Sequence, residues 1–184
     1  MPVAECSAEQ ECSAEKRWRM IGDRWGVTDE ETEASYACDR FAPKPTVQAW
    51  RAVTIEAPTS VVWSWLIQVR LAPYSYDLID NLGRRSPREL LHLDDPEIGD
   101  PFSSSGGRPL GRIVALVHEE HLTGQIIGAT MTYRLLDLGD AGTRLVLKVV
   151  GEYPRPLAPL LSVGDLVMAR QQLLNFKKYA EQRD

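Results

Sequence analysis

Hydrophobic positions crowd the first half of the stretch from Pro58 to Leu82 (PTSVVWSWLIQVRLAPYSYDLIDNL). Val61, Val62, Trp65, Leu66 and Val69 recur at the spacing of one helical face, and Pro58 suits the first turn of such a helix. Trp63 and Ile67 make the opposite side apolar too, so the helix is expected to be covered on both sides. The pattern breaks at Ala72 and Pro73. A second helix is predicted from about Tyr74 to Leu82, stopping at Gly83.

Upstream, Val47 to Glu56 alternates with period two and is rich in β-branched residues, which predicts a strand. Downstream, Arg84 to Glu97 reads as a charged loop, and Pro87, Pro96, Gly99, Pro101, Gly106, Gly107 and Pro109 extend it as an irregular connection. Ser103 to Gly107 reads as a flexible loop. Period two then returns, predicting strands over 111–118, 121–128, 130–138 and 143–153, an antiparallel meander with bulges expected at Gly124 and Gly128. Pro154 to Pro159 breaks the sheet, and Ser162 with Asp165 reads as the capped start of a last helix. Leu166, Ala169, Leu173, Phe176 and Ala180 give that helix an apolar stripe whose one available partner is the sheet. The order implies an α+β fold: a curved antiparallel sheet wrapped around a long C-terminal helix, with two short helices after the first strand. A curved sheet gripping one helix leaves a gap, and the gap is a candidate cavity.

Residues 1–46 differ in character, which divides the chain into an N-terminal extension (1–46), partly disordered or helical, and a ligand-binding domain (47–184). Glu-Cys-Ser-Ala-Glu occurs at 5–9 and again at 11–15, too short a repeat for a solenoid. Trp18, Met20, Ile21 and Trp25 offer a docking segment, Thr28 with Glu31 fits a capping box, and Pro43 and Pro45 close the region as a stiff linker.

Composition narrows the function. The chain has 184 residues and a formal net charge of −5, with no basic run, which argues against nucleic acid and anionic membrane surfaces as partners. No apolar run is long enough to span a bilayer and no signal peptide is apparent, so a cytoplasmic location is expected. Cys6, Cys12 and Cys38 are odd in number, and none lies in the expected core, which argues against a disulfide framework. Phosphate-binding and dinucleotide-binding glycine motifs and a nucleophile elbow are missing, so no cofactor is expected. His118-Glu-Glu-His121 lies on a strand turn and reads as a charged hairpin tip; two imidazoles sharing a metal is the sharper alternative.

Four segments together are similar to one known family. Ile55-Glu-Ala-Pro-Thr-Ser-Val-Val-Trp63, Tyr74-Ser-Tyr-Asp-Leu-Ile-Asp-Asn81, Gly142-Thr-Arg-Leu-Val146 and Arg170 to Glu181 resemble the START/polyketide-cyclase (SRPBCC) superfamily over about Val53–Gln182. The Tyr-Ser-Tyr-Asp segment looks like a bacterial polyketide cyclase/dehydrase-like subgroup. The resemblance implies the helix-grip fold with a hydrophobic cavity between sheet and last helix. It implies no particular reaction, because such folds serve lipid carriers, receptors, cyclases and co-chaperone domains.

Candidate cavity residues are Trp65, Tyr74, Tyr76, Asp77, Asp80 and Arg84 on the first two helices and just beyond them, Met131, Tyr133 and Lys148 on strands, and Met168 and Phe176 on the last helix. Asp77 and Asp80, with Asn81 and Arg84 nearby, form either a polar cluster at a cavity mouth or a solvated face with an Asp80–Arg84 pair worth roughly 0.2–0.5 kcal/mol. Lys148 and Arg134 either anchor a ligand oxygen or decorate the solvent side. Met131, Tyr133, Met168 and Phe176 line either a pocket or plain core. Trp50 and the prolines at 154, 156 and 159 are candidates for an interface. Three functions follow as expectations: binding a small hydrophobic molecule (lipid, polyketide or aromatic), a cyclase or dehydratase using Tyr/Asp acid–base groups, or a protein-interaction module built on the Trp18/Trp25 segment.

Overall fold

A computed structural model describes residues 22–154 and 158–182. The Glu-Cys-Ser-Ala-Glu repeat, Cys6, Cys12, Trp18, Met20, Ile21 and Pro156 lie outside the described residues. The chain runs β1 (Arg24–Trp25), α1 (Asp29–Glu33), a 3-10 turn (Ala37–Phe41), β2 (Val47–Ile55), α2 (Thr59–Leu66), a second 3-10 turn (Ile67–Arg70) and α3 (Asp77–Asp80). It continues with β3 (Ser103–Ser105), β4 (Arg108–Leu110), β5 (Arg112–Val117), β6 (His121–Ile126), β7 (Ala129–Asp137), β8 (Thr143–Gly151) and α4 (Ala158–Ala180). Six strands form one sheet in the order β1-β2-β8-β7-β6-β5, antiparallel except where β1 joins β2. The fold is therefore α+β, with α2 and α4 packed on one face of that sheet.

The long β2–β8 ladder, from Val47↔Gly151 to Ile55↔Thr143, explains why β8 reads as apolar on both sides. Leu145, Leu147 and Val149 join Ala49, Val53 and Ile55 on the inner face against α2 and α4. Val146 and Val150 join Trp50 and Ala52 on the outer face, beneath Tyr36, Cys38 and Ala42. A strand covered on both faces loses the polar alternation that would mark one side as wet.

The outer cover comes from the N-terminal segment. Thr28 and Glu31 form the capping box of α1, and Glu31 also takes the Arg144 guanidinium at 2.7 and 2.8 Å. The Cys38 amide donates to Thr132 Oγ1 at 2.9 Å. Cys38 is fully buried, contrary to the expectation that no cysteine lies in the core, and burial pushes its thiol up to about 11. Trp50 is buried beneath the chain's own segment, so it is not the exposed interface residue its position in β2 suggests.

Several boundaries differ from the sequence pattern. The helix over 74–82 contracts to the single turn α3. Tyr74 adopts φ +56° and turns its ring against Phe176 at 5.4 Å, while Leu82 (φ +50°) and Gly83 (φ +79°) end the turn. Burying the Tyr74 ring outweighs continuing the helix. The connection 98–111 contains the β3–β4 hairpin, so Ser103–Gly107 is strand and turn. The bulge lies on β5, between Ile113 and Ala115. Gly124 is instead a close-approach site, since a Cβ there would fall 1.9 Å from the Phe102 ring, and Gly128 (φ +80°) serves the β6–β7 turn. Helix α4 starts at Ala158, not Ser162. Pro159 sits in the first turn, where its missing N–H has no partner to lose, so it does not break the chain there. Asp165 is left inside the helix, free to point at the sheet.

Candidate functional site

The inner face and α4 do not close completely. A cavity of about 190 Å³ remains between β7, β8, α4 and the segment that follows α2. Its apolar wall is Val69, Phe102, Ile126, Met131, Leu147 and Met168. Its polar side chains are Tyr133 from β7, Asp165 and Gln172 from α4, Asp80 from α3, and Ser75 and Ser103.

Tyr133, Gln172, Asp165 and Asp80 are each held by a named partner. The Tyr133 hydroxyl donates to Gln172 Oε1, and Gln172 Nε2 donates to the Pro73 carbonyl, so one chain of hydrogen bonds joins β7, α4 and the α2–α3 break. Asp165 Oδ2 meets Arg51 Nη2 at 3.0 Å; Arg51 is fully buried on β2 and also donates to the Asp23 and Trp50 carbonyls. Burial pushes the Asp165 carboxyl up to about 6 in spite of that guanidinium. Asp80 accepts from the Ser75 hydroxyl through Oδ2, whereas Oδ1 is buried with no hydrogen-bond partner, and burial again raises its pKa. A buried acceptor without a donor costs free energy of about 1–3 kcal/mol, more when charged. Asp80 Oδ1 is an acceptor that faces the cavity without a donor. The unused polar capacity of the cavity therefore calls for a donor.

The structure brings together only part of the sequence-predicted set. Asp80, Met131, Tyr133 and Met168 line the cavity. Trp65, Tyr74 and Phe176 belong to the solid core beside it, where Trp65 stacks on Tyr179 at 5.1 Å and the Tyr74 hydroxyl accepts from Gln68 at 2.9 Å. Tyr76 is exposed. Asp77 accepts from the Ser86 amide at 3.1 Å and its hydroxyl at 2.6 Å, fastening the loop after α3. Arg84 lies outside, donating to the Gly106 carbonyl at 3.1 Å, so the Asp80–Arg84 pair does not form. Lys148 is a correction of phase: it lies on the outer face, 2.5 Å from Asp39 and over the Tyr36 and Trp50 rings. Period two puts it opposite to its cavity-lining neighbour Leu147.

Arg51, Ser75, Asp165 and Gln172 were not singled out for the site by sequence. An arginine within an apolar strand was the one available signal for the buried pair, because its charge demands a partner. His118 is likewise placed by the fold: its Nδ1 lies 2.6 Å from Asp95, whose other oxygen accepts from Trp63 Nε1 at 2.8 Å. Among the described residues no group of three His, Cys, Asp or Glu side chains is placed to hold a metal, and no helix is long and apolar enough to cross a membrane.

No protein-family model matches the chain, and no curated protein matches it in sequence. Solved structures do. SSP2350 from Staphylococcus saprophyticus superposes with a TM-score of 0.54 at 10% identity over 74% of this chain and 92% of its own. MLL2253 from Mesorhizobium loti gives 0.52 at 17% identity over 74% and 98%. These likenesses show the fold alone: α+β, with a mostly antiparallel six-stranded sheet and a long C-terminal helix. A Polyketide_cyc-like protein of Corynebacterium glutamicum, Cgl2372, is also similar (13% identity over 74% and 91%), although its TM-score of 0.45 is too low to add weight.

Proposed function

We propose that this protein binds a small, largely apolar molecule bearing at least one hydroxyl or N–H donor, held between the sheet and α4. The observation that carries the reading is the cavity of about 190 Å³, walled by methionine, leucine and phenylalanine and furnished with a buried Asp80 oxygen that lacks a donor. Apolar walls supply affinity in proportion to the area removed from water, at roughly 25 cal/mol per Å². The few polar groups fix orientation, as is usual in concave ligand sites. Lipids, polyketides and phenolic aromatics fall within that chemistry.

Native mass spectrometry of the purified protein, followed by denaturing extraction, tests the reading. A co-purifying hydroxylated lipid or phenol is expected. If the protein binds no member of a hydroxylated lipid and phenol panel in a thermal-shift screen either, the reading fails.

A second reading rests on a specific observation: Asp80 and Asp165, whose carboxyl pKa values burial raises, face the same cavity as Tyr133. Such groups suit proton transfer to and from an enolisable carbonyl compound, as a cyclase or dehydratase requires. Deuterium exchange at the α-carbon of β-tetralone, followed by NMR, tests it. Faster exchange with the protein than with its Asp80→Asn variant supports the reading, and equal rates contradict it.

A further inference from the structure

A second, more open concavity of about 720 Å³ lies directly behind the first, lined among others by Arg70, Leu71, Arg84, Arg85, Leu93 and Pro101. One thin partition separates the two. Val69 lines the cavity and Arg70 the groove; Asp80 lines the cavity and Asn81 the groove; Phe102 and Ser103 line the cavity, Pro101 and Ser104 the groove. Neighbouring residues of three separate segments thus face opposite sides of one layer.

The groove has charge to spare on its Arg84–Arg85 side. Arg70 is matched by Asp100 at 3.5 Å. Arg84 donates only to a backbone carbonyl, and no carboxylate of the described residues pairs with it or with Arg85. Arg84 is also pre-positioned. Its guanidinium lies where a Cβ on Gly107 would sit, 1.9 Å away, and Asn81 Nδ2 holds the Arg84 carbonyl at 2.7 Å. The remaining lining carboxylate is Asp94, whose backbone carbonyl takes Arg70 at 2.6 Å. Leu71, Leu93 and Pro101 supply apolar floor.

The part of the partition least tied to the core is α3. It is a single turn bounded by the positive φ values of Tyr74 and Leu82, and it exposes Leu78, Ile79 and Leu82 to solvent. A cavity of 190 Å³ falls below the roughly 300–1,000 Å³ of sites that enclose a drug-sized ligand. Part of any longer ligand must lie elsewhere, and the groove is the adjoining space.

We propose that cavity and groove form one bipartite site for an amphiphilic organic anion. The apolar body and its hydroxyl enter the cavity past α3, and the carboxylate or phosphate end rests on Arg84 and Arg85. The inference builds on the ligand-binding reading above and adds the ligand's charge. Guanidinium pairs suit such heads because each offers a planar, multiply donating fork.

Isothermal titration with ω-hydroxydecanoate and with uncharged decanediol separates the possibilities. The Arg84→Ala, Arg85→Ala double variant is expected to bind the anion about tenfold or more weakly, the loss of a charge-assisted hydrogen bond, and to bind the diol as before. Ala169→Phe, which fills the cavity, is expected to weaken both; Met131→Trp serves the same purpose should Ala169→Phe fail to fold. Unchanged anion affinity in the double variant overturns the bipartite site while leaving the cavity reading intact. Anion binding that survives cavity filling overturns it as well, because the groove then acts alone. If neither probe binds the native protein, both readings fall.

Discussion

The two faces of the sheet are built from the same strands and treat their polar groups in opposite ways. On the outer face two buried or half-buried charges are matched, Lys148 by Asp39 and Arg144 by both oxygens of Glu31, with Tyr36 and Cys38 packed nearby. On the inner face Asp80 keeps an oxygen with no partner, and Asp165 sits beside open space with a raised pKa. Saturated polar groups fix one structure, whereas unsatisfied ones are tolerated where a ligand completes them. The outer face is closed by the chain itself, and the inner one keeps a cavity.

The largest expected effect breaks the outer face. Asp39→Ala leaves the Lys148 ammonium buried without its anion and should lower unfolding stability by about 3 kcal/mol in urea denaturation. Replacing both residues, with Lys148→Met and Asp39→Leu, should restore most of the loss. Ligand affinity should be unaffected in the double replacement, because neither residue reaches the cavity.

The next effect strikes the inner face. Gly124→Ala places a Cβ 1.9 Å from the Phe102 ring, so the ring must move towards the cavity it lines. Overpacking of this kind costs about 1–3 kcal/mol. The same change should also weaken ligand binding, which titration calorimetry checks; a variant that loses stability with unchanged affinity would separate Phe102 from the site.

The third effect is one of pH. The Asp165 carboxyl is held above its ordinary 3.8, at about 6, because burial disfavours the charged form. The folded state therefore binds this proton more tightly than the unfolded chain. The stability that protonation contributes is complete below the ordinary value and is lost as pH rises through about 6. Thermal unfolding between those limits should show a decline in the native protein that is smaller in Asp165→Asn. An equal decline in both would assign it to other groups.

Much of the fold was legible because its signals are local. Period two located β2, β7 and β8 to within two residues of their ends, and the Thr28–Glu31 capping box and the doubly apolar α2 depend only on nearby sequence. The failures involve long-range choices. Lys148 and Leu147 look interchangeable until the segment around Cys38 covers one face. The α3 turn is short because Tyr74 reaches Phe176, about a hundred positions away along the chain. Ser162 lost its place as helix start because the helix already runs from Ala158, and Asp165 serves a buried arginine that no spacing rule could pair with it. At the site, Tyr133, Met131, Met168 and Asp80 were recognisable as aromatic, flexible or acidic residues near a predicted gap. Gln172 and Arg51 became visible only as partners.

The most direct test of the central claim is a methyl NMR titration of protein labelled at its methionines. The chain has four, and of these Met131 and Met168 line the cavity. Titration with a hydroxylated amphiphile such as ω-hydroxydecanoate should shift the Met131 and Met168 signals together and saturably. Binding that leaves both methyls unmoved would place the ligand elsewhere and contradict the account.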